Sequence, residues 1–130
     1  MPDASHLAAI DTLLAVLLTF LFAARVAMLR GKHGIKAPAT SGHPDFERAF
    51  RVHANTVENL VLVVPLLWIA SAYYGGQIPF WIGLVWVISR VVYAIGYMQA
   101  NSQLRAPGGV IGFLSIIALF VFAAIGVAGL

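Results

Sequence analysis

With 130 residues, 61% hydrophobic and only 10% charged, the chain has too few polar side chains to clothe a water-facing surface; a soluble domain carries about 25% charged residues. A mean hydropathy of +0.90 agrees, and an integral membrane protein is indicated. The net charge of +3 requires no nucleic acid, since anionic lipid headgroups account for it, and zero cysteines exclude disulfides and protein thiol chemistry.

A membrane-spanning helix needs ~20 mostly apolar residues, and four stretches qualify. The first covers about 7–30. It lacks the basic start of a signal peptide and its apolar run is too long for one, so it reads as a retained helix. Gly31 and Gly34 in "LRGKHG" suit its C-terminal cap. Asp11 is expected near the outer membrane boundary, and Arg25 is expected to snorkel towards the inner one. The loop that follows is broken by Pro38, Gly42 and Pro44.

The second helix starts near Pro44–Asp45, with Asp45 as cap and Glu47 in the first turn, and runs over 45–74. At 1.5 Å per residue such a helix is ~45 Å long against a hydrocarbon core of ~30 Å, so its first turns stand outside the lipid. "GGQIP" is a tight outer turn before a third helix over 79–103. "RAPGG" reads as the inner turn before a fourth over 108–129. The expected fold is all-α, a single domain over 1–130 built as an up-down four-helix bundle. Gly108 with Gly112, and Gly96 with Ala100, are small-residue pairs that let helices approach closely. Trp68, Trp81 and Trp86 are expected to be interface anchors at the outer boundary.

Charge placement supplies the topology. All eight Lys and Arg lie between residues 25–51 or at 90 and 105, and the other segments contain none. The positive-inside rule then puts the 31–47 loop and the turn near 103–107 in the cytoplasm, with both termini opposite.

Two polar stripes interrupt the apolar pattern. At 100° per residue, Arg48, Arg51, Asn55 and Glu58 fall within roughly 80° on the second helix. Arg90, Tyr93, Tyr97 and Asn101 do the same on the third, and Arg105 lies in the adjoining turn. Ionisable groups at membrane depth cost ~2.5–3.5 kcal/mol each and face a bundle interior, a cavity or a neighbouring subunit. A structural network of Arg51, Glu58 and Arg90 is one reading. However, four arginines stand against two glutamates, Glu47 and Glu58, so such a network would not neutralise itself. The surplus calls for an anionic ligand, which Arg grips bidentately. His33, His43 and His53 have no acidic or cysteine companions at metal-ligand spacing and read as solvated or capping groups, so no metal is expected.

These residues resemble a known family. "FERAFRVHANTVEN" is similar to the F-E-R-x-x-R-x-x-x-N-x-x-E signature of the membrane-associated proteins in eicosanoid and glutathione metabolism (MAPEG). "SRVVYAIGY" is similar to the family's R-x-x-Y-x-x-x-Y pattern, and "QLRAP" to its inner-loop arginine. The resemblance covers nearly the whole chain. It implies a microsomal glutathione transferase-like homotrimer with glutathione sites between adjacent subunits, open to the cytoplasmic half of a bacterial inner or endoplasmic-reticulum-type membrane. By motif, Arg51, Asn55 and Glu58 would hold glutathione, Arg51 at a carboxylate and Glu58 at the amino group. Arg90, Tyr93 and Tyr97 would line the site, seen as coming from the neighbouring subunit; Arg30, Arg48 and Gln103 would assist, and Arg105 would be catalytic, stabilising the thiolate. A hydrophobic small-molecule substrate would arrive through membrane lipid.

This chain departs from the family's specialised members. Ala54 stands where its prostaglandin synthases carry a second arginine, Asn59 where its leukotriene synthases have tyrosine, and "APGG" lacks a serine. A general transferase or peroxidase role is the expectation that remains. The alternative is a non-catalytic lipid- or partner-binding member. A small multidrug exporter is disfavoured, because Glu58 lies beside arginines on the second helix rather than in mid-membrane on the first.

Overall fold

The hydropathy pattern becomes four long helices in the computed structural model, which describes residues 2–130 apart from the side chain of Ser102. They are α1 (Ala4–His33), α2 (Pro44–Ile69), α3 (Ile78–Met98) and α4 (Ser102–Ala128), with a π-helical turn, Ala70–Tyr74, prolonging α2. All are long and apolar enough to cross a membrane. Their outer faces carry large apolar side chains, with Leu13 70% and Phe20 71% exposed. Such a surface is stable only in lipid, so the chain is a multi-pass integral membrane protein.

Contacts between helices fix the up-down order. Trp68 Nε1 donates to Thr12 Oγ1 at 3.0 Å, so the end of α2 lies beside the start of α1. Asn55 reaches Tyr93, setting the start of α2 against the end of α3. All eight basic residues therefore gather towards one end of the bundle. A central core of Ala8, Ala15, Val63, Leu67, Trp86 and Leu119 joins the four helices at the other end. Phe22, Val52, Tyr93 and Ala94 form a second cluster nearer the basic end.

Local chemistry explains where helices begin and stop. α1 is longer than the expected 7–30 because Asp3 caps it, accepting from His6 N at 2.8 Å. That bond, with one from the Ser5 hydroxyl, holds the Asp3 carboxyl below its ordinary pKa. At the other end Gly34 closes α1 in the left-handed conformation, φ 64°, its N–H on Arg30 O. For α2 the cap is His43 rather than Asp45: its Nδ1 accepts from Asp45 N at 3.1 Å.

The inner turn is where expectation and structure part most. α3 ends at Met98, not 103, and α4 begins at Ser102, not 108. Asn101 leaves the third-helix stripe and caps α4 instead, its side chain accepting from Gln103 N at 3.0 Å. Ala100, at φ 54°, makes the tight turn. Pro107 stays inside the helix, since the carbonyl it frees lies on an exposed early turn.

Small residues bring α3 and α4 together. A Cβ on Gly108 would lie 2.6 Å from Tyr93 N and 2.9 Å from Ser89 O, and one on Gly96 would meet the Arg105 backbone. The glycines thus serve packing within one chain. Trp86 is fully buried rather than an interface anchor. Its Nε1 reaches Asn59 Oδ1 at 3.4 Å, which gives the indole a polar partner inside the bundle. Trp68 and Trp81 remain exposed, at 39% and 56%. Asp11 turns its carboxylate into the bundle. It is 1% exposed, on the core-facing line of Ala8 and Ala15, and a Cβ on Gly83 would collide with its carboxylate.

Candidate functional site

At the basic end, the early turns of α2 and the last turns of α3 enclose a polar cleft of about 470 Å³. Arg48, Arg51 and Tyr97 line it with Glu47, Phe50 and Thr40. The helical spacing of 48 and 51 presents two guanidinium groups to one space, as the wheel anticipated. Thr40 was not foreseen: it belongs to the α1–α2 loop, where no periodicity marks which side chain turns inward. Phe50 falls outside the arc of Arg48, Arg51, Asn55 and Glu58, yet it forms part of the wall.

Behind the cleft the tyrosines link it to two further arginines. Asn55 Nδ2 donates to Tyr93 Oη at 2.6 Å, joining α2 to α3 within one chain. The Tyr93 and Tyr97 rings lie 5.5 Å apart. Arg90 stands over Tyr93 at 4.0 Å and Arg105 over Tyr97 at 5.3 Å. These are cation–π distances, which hold a guanidinium by its face and leave its N–H edges available. Arg90 is only 3% exposed, and neither its Nε nor its Nη2 has a hydrogen-bond partner among the described residues.

The acidic side of the ledger is nearly empty. Among the described residues the ion pairs are His43–Asp45 at 4.0 Å and Arg48–Asp45 at 3.3 Å. None involves Arg51, Arg90, Arg105 or Glu58, so the Arg51–Glu58–Arg90 network does not form within the chain. A buried cation without an anion is costly, and an anionic ligand would relieve that cost.

Not every candidate gathers at this cleft. Arg30 donates from Nη1 to Ala39 O at 2.7 Å and packs over Phe46 at 4.8 Å, bracing the loop instead. Glu58 is exposed and does not line the cleft. Gln103 is exposed on the first turn of α4. Asn59 links helices, donating to Asn55 O at 2.8 Å and accepting from Trp86.

The Asn55–Tyr93 bond carries a testable consequence. Tyr93→Phe should destabilise the bundle by about 1 kcal/mol. In a double-mutant cycle with Asn55→Ala, denaturation in mixed micelles should recover most of that as coupling; additive effects would show that the bond contributes nothing.

Comparison with known proteins finds relatives over most of the chain. A family model described as the MAPEG family matches residues 8–125. The uncharacterized protein sll1147 of Synechocystis is 40% identical over 113 residues, covering 87% of this chain and 82% of that protein. Leukotriene C4 synthase of Cavia porcellus is 36% identical over 107 residues, 82% of this chain and 71% of the relative. Microsomal glutathione S-transferase 2 of Mus musculus is 35% identical over 121 residues, 90% and 82% respectively.

Proposed function

The chain belongs to the MAPEG family, and on that premise we propose that it is a membrane-bound glutathione transferase with glutathione peroxidase capacity. The observation that carries this reading is the set of arginines without acidic partners, Arg51, Arg90 and Arg105, converging on Tyr93 and Tyr97. An anionic tripeptide meets that demand, and the name of one relative, microsomal glutathione S-transferase 2, points to glutathione as the co-substrate.

In this proposal Arg51 binds a glutathione carboxylate, with Arg48 beside it on the same cleft wall. Asn55, Tyr93 and Tyr97 supply hydrogen bonds along the peptide, and Arg90 adds positive potential from behind. Glu58 takes the ammonium group, and Arg30 and Gln103 complete the shell. Since Arg30 and Glu58 stand away from the cleft in one chain, the complete site lies between adjacent copies of a homotrimer at the cytoplasmic side. Arg105 faces the sulfur and favours the thiolate, which is the nucleophile.

The chemistry then balances simply. The thiolate pair forms a C–S bond to a lipophilic electrophile, and the displaced pair leaves with a leaving group or is protonated at carbon. With a hydroperoxide, sulfur attacks the terminal oxygen and the O–O bond breaks to release an alcohol. A second glutathione converts the resulting sulfenic acid to disulfide and water. The acceptor reaches the sulfur laterally through lipid, which accounts for a polar site at membrane depth.

Calorimetric titration of the purified protein with glutathione tests the proposal. Wild type should bind, and Glu58→Gln should weaken binding by roughly ten- to hundredfold, the value of a hydrogen bond to a charged group. A wild type that takes up no glutathione would sink the reading.

A further inference from the structure

We infer that His33, His43 and Asp45 form a binding site for a divalent transition metal ion of the zinc class, clasping the end of α1 to the start of α2. Nine residues of loop separate the two histidines in sequence, yet their rings stack with centroids 3.6 Å apart and planes inclined by 13°. One nitrogen of each ring and a carboxylate oxygen of Asp45 all lie within 4.8 Å of one another. His33 Nε2 is shielded from solvent and has no hydrogen-bond partner among the described residues. Arg48 holds Asp45 Oδ1 at 3.3 Å, while Oδ2 lies 4.0 Å from His43 Nδ1. A ligating carboxylate is typically steadied in this way from its outer side.

Donor chemistry narrows the occupant. Two imidazoles and one carboxylate suit zinc, which commonly takes three such ligands and leaves its fourth position open, and they also suit copper and nickel. Zinc bonds of about 2.0–2.1 Å in tetrahedral array space the donors by ~3.4 Å, so the cluster must close by about an ångström. The rings must also tilt out of their parallel stack for their lone pairs to converge. If His43 ligates through Nδ1, it gives up its bond to Asp45 N. These are side-chain rotations at a solvent-accessible helix junction, with Asp45 itself exposed. Opposing them is the positive field of Arg30, Lys32, Lys36 and Arg48, which weakens affinity for any cation.

The site is separate from the glutathione cleft but touches its scaffold. His33 and His43 bracket the loop that carries Thr40 to the cleft, and Asp45 holds Arg48 on the cleft wall. Bound metal would fix both, whatever the cleft binds.

Untagged full-length protein in detergent micelles should be titrated with Co²⁺, followed by its visible absorption, and with Zn²⁺ by calorimetry. One saturable equivalent per chain is expected. His33→Gln should weaken it by about 100-fold or more, at or beyond the upper end of the loss seen for outer-shell partners. His43→Asn should do the same while retaining a good helix cap, so its metal-free thermal stability should match wild type. His6→Gln and His53→Gln, which alter the other two histidines, should bind as wild type. The inference is overturned if wild type shows no saturable uptake of either ion, or if the His33→Gln, His43→Asn double variant binds as wild type does.

Discussion

Arg105→Ala is expected to leave glutathione bound but its thiol protonated. A free thiol with pKa near 8.5 is ~3% ionised at pH 7, and lowering that value by two units makes it ~75% ionised, a gain of about 25-fold. The shift requires ~2.7 kcal/mol. A guanidinium about 5 Å from the sulfur supplies ~3 kcal/mol at an effective dielectric constant of about 20, so one arginine is enough. Packing sets the position of Arg105: Gly96 admits the first turn of α4 against α3, and the guanidinium stands 5.3 Å above Tyr97.

Rate should fall less than thiolate fraction. Nucleophilicity declines with pKa at a Brønsted slope of about 0.4–0.5, which returns roughly eightfold over two units. Ionisation alone therefore gives about threefold in rate at pH 7. The sign sets the pH window: because the cation lowers the thiol pKa, its benefit is present between the shifted and unshifted values and vanishes above the higher one. The variant should accordingly lose the thiolate absorbance band at pH 7 and recover activity as pH rises to 9, while wild type stays flat. An equal loss at every pH would mean that Arg105 orients the sulfur or acceptor rather than ionising the thiol.

The reliable sequence signals were those with long-range physical demand behind them. Four apolar stretches had to become helices because lipid satisfies no backbone hydrogen bonds. The excess of arginine over acid was visible as a count, and the helices placed Arg48 with Arg51 in one cleft and Arg90 with Arg105 on the tyrosines behind it. Local signals competed and misled. "RAPGG" contains strong breakers, but Asn101 offers a capping oxygen earlier, so the turn moved to 99–101 and Asn101 left the stripe. Trp86 and Trp81 are alike on paper; Trp86 is buried among Val63, Leu67 and Leu119, where its indole also meets Asn59, while Trp81 stays exposed. Thr40 and the His33–His43 stack lie on a loop or across it, where contact depends on the path of the backbone and no periodicity records it.

The close approach of α3 and α4 should make Gly108 hard to replace. A Cβ there would lie 2.6 Å from Tyr93 N, 2.8 Å from Tyr93 Cα and 2.9 Å from Ser89 O. All three are backbone atoms, so no rotamer can yield and the helices themselves must separate. Overpacking of this kind costs ~1–3 kcal/mol even where side chains can give, and Gly108→Val should sit at or above the upper end. The damage would be local to function, since Tyr93 carries Asn55 on its hydroxyl and Arg90 over its ring. Gly109 supplies the control one position along: its nearest neighbours to an added Cβ are Tyr93 ring atoms at 3.7 and 3.9 Å, ordinary contact distances. Gly109→Ala should be neutral or gain up to ~1 kcal/mol of helix propensity. Thermal unfolding in micelles should separate the two, with Gly108→Val also losing glutathione binding. Equal stability of both variants would show that α4 is free to move away from α3, and that Gly108 does not hold the tyrosines in place.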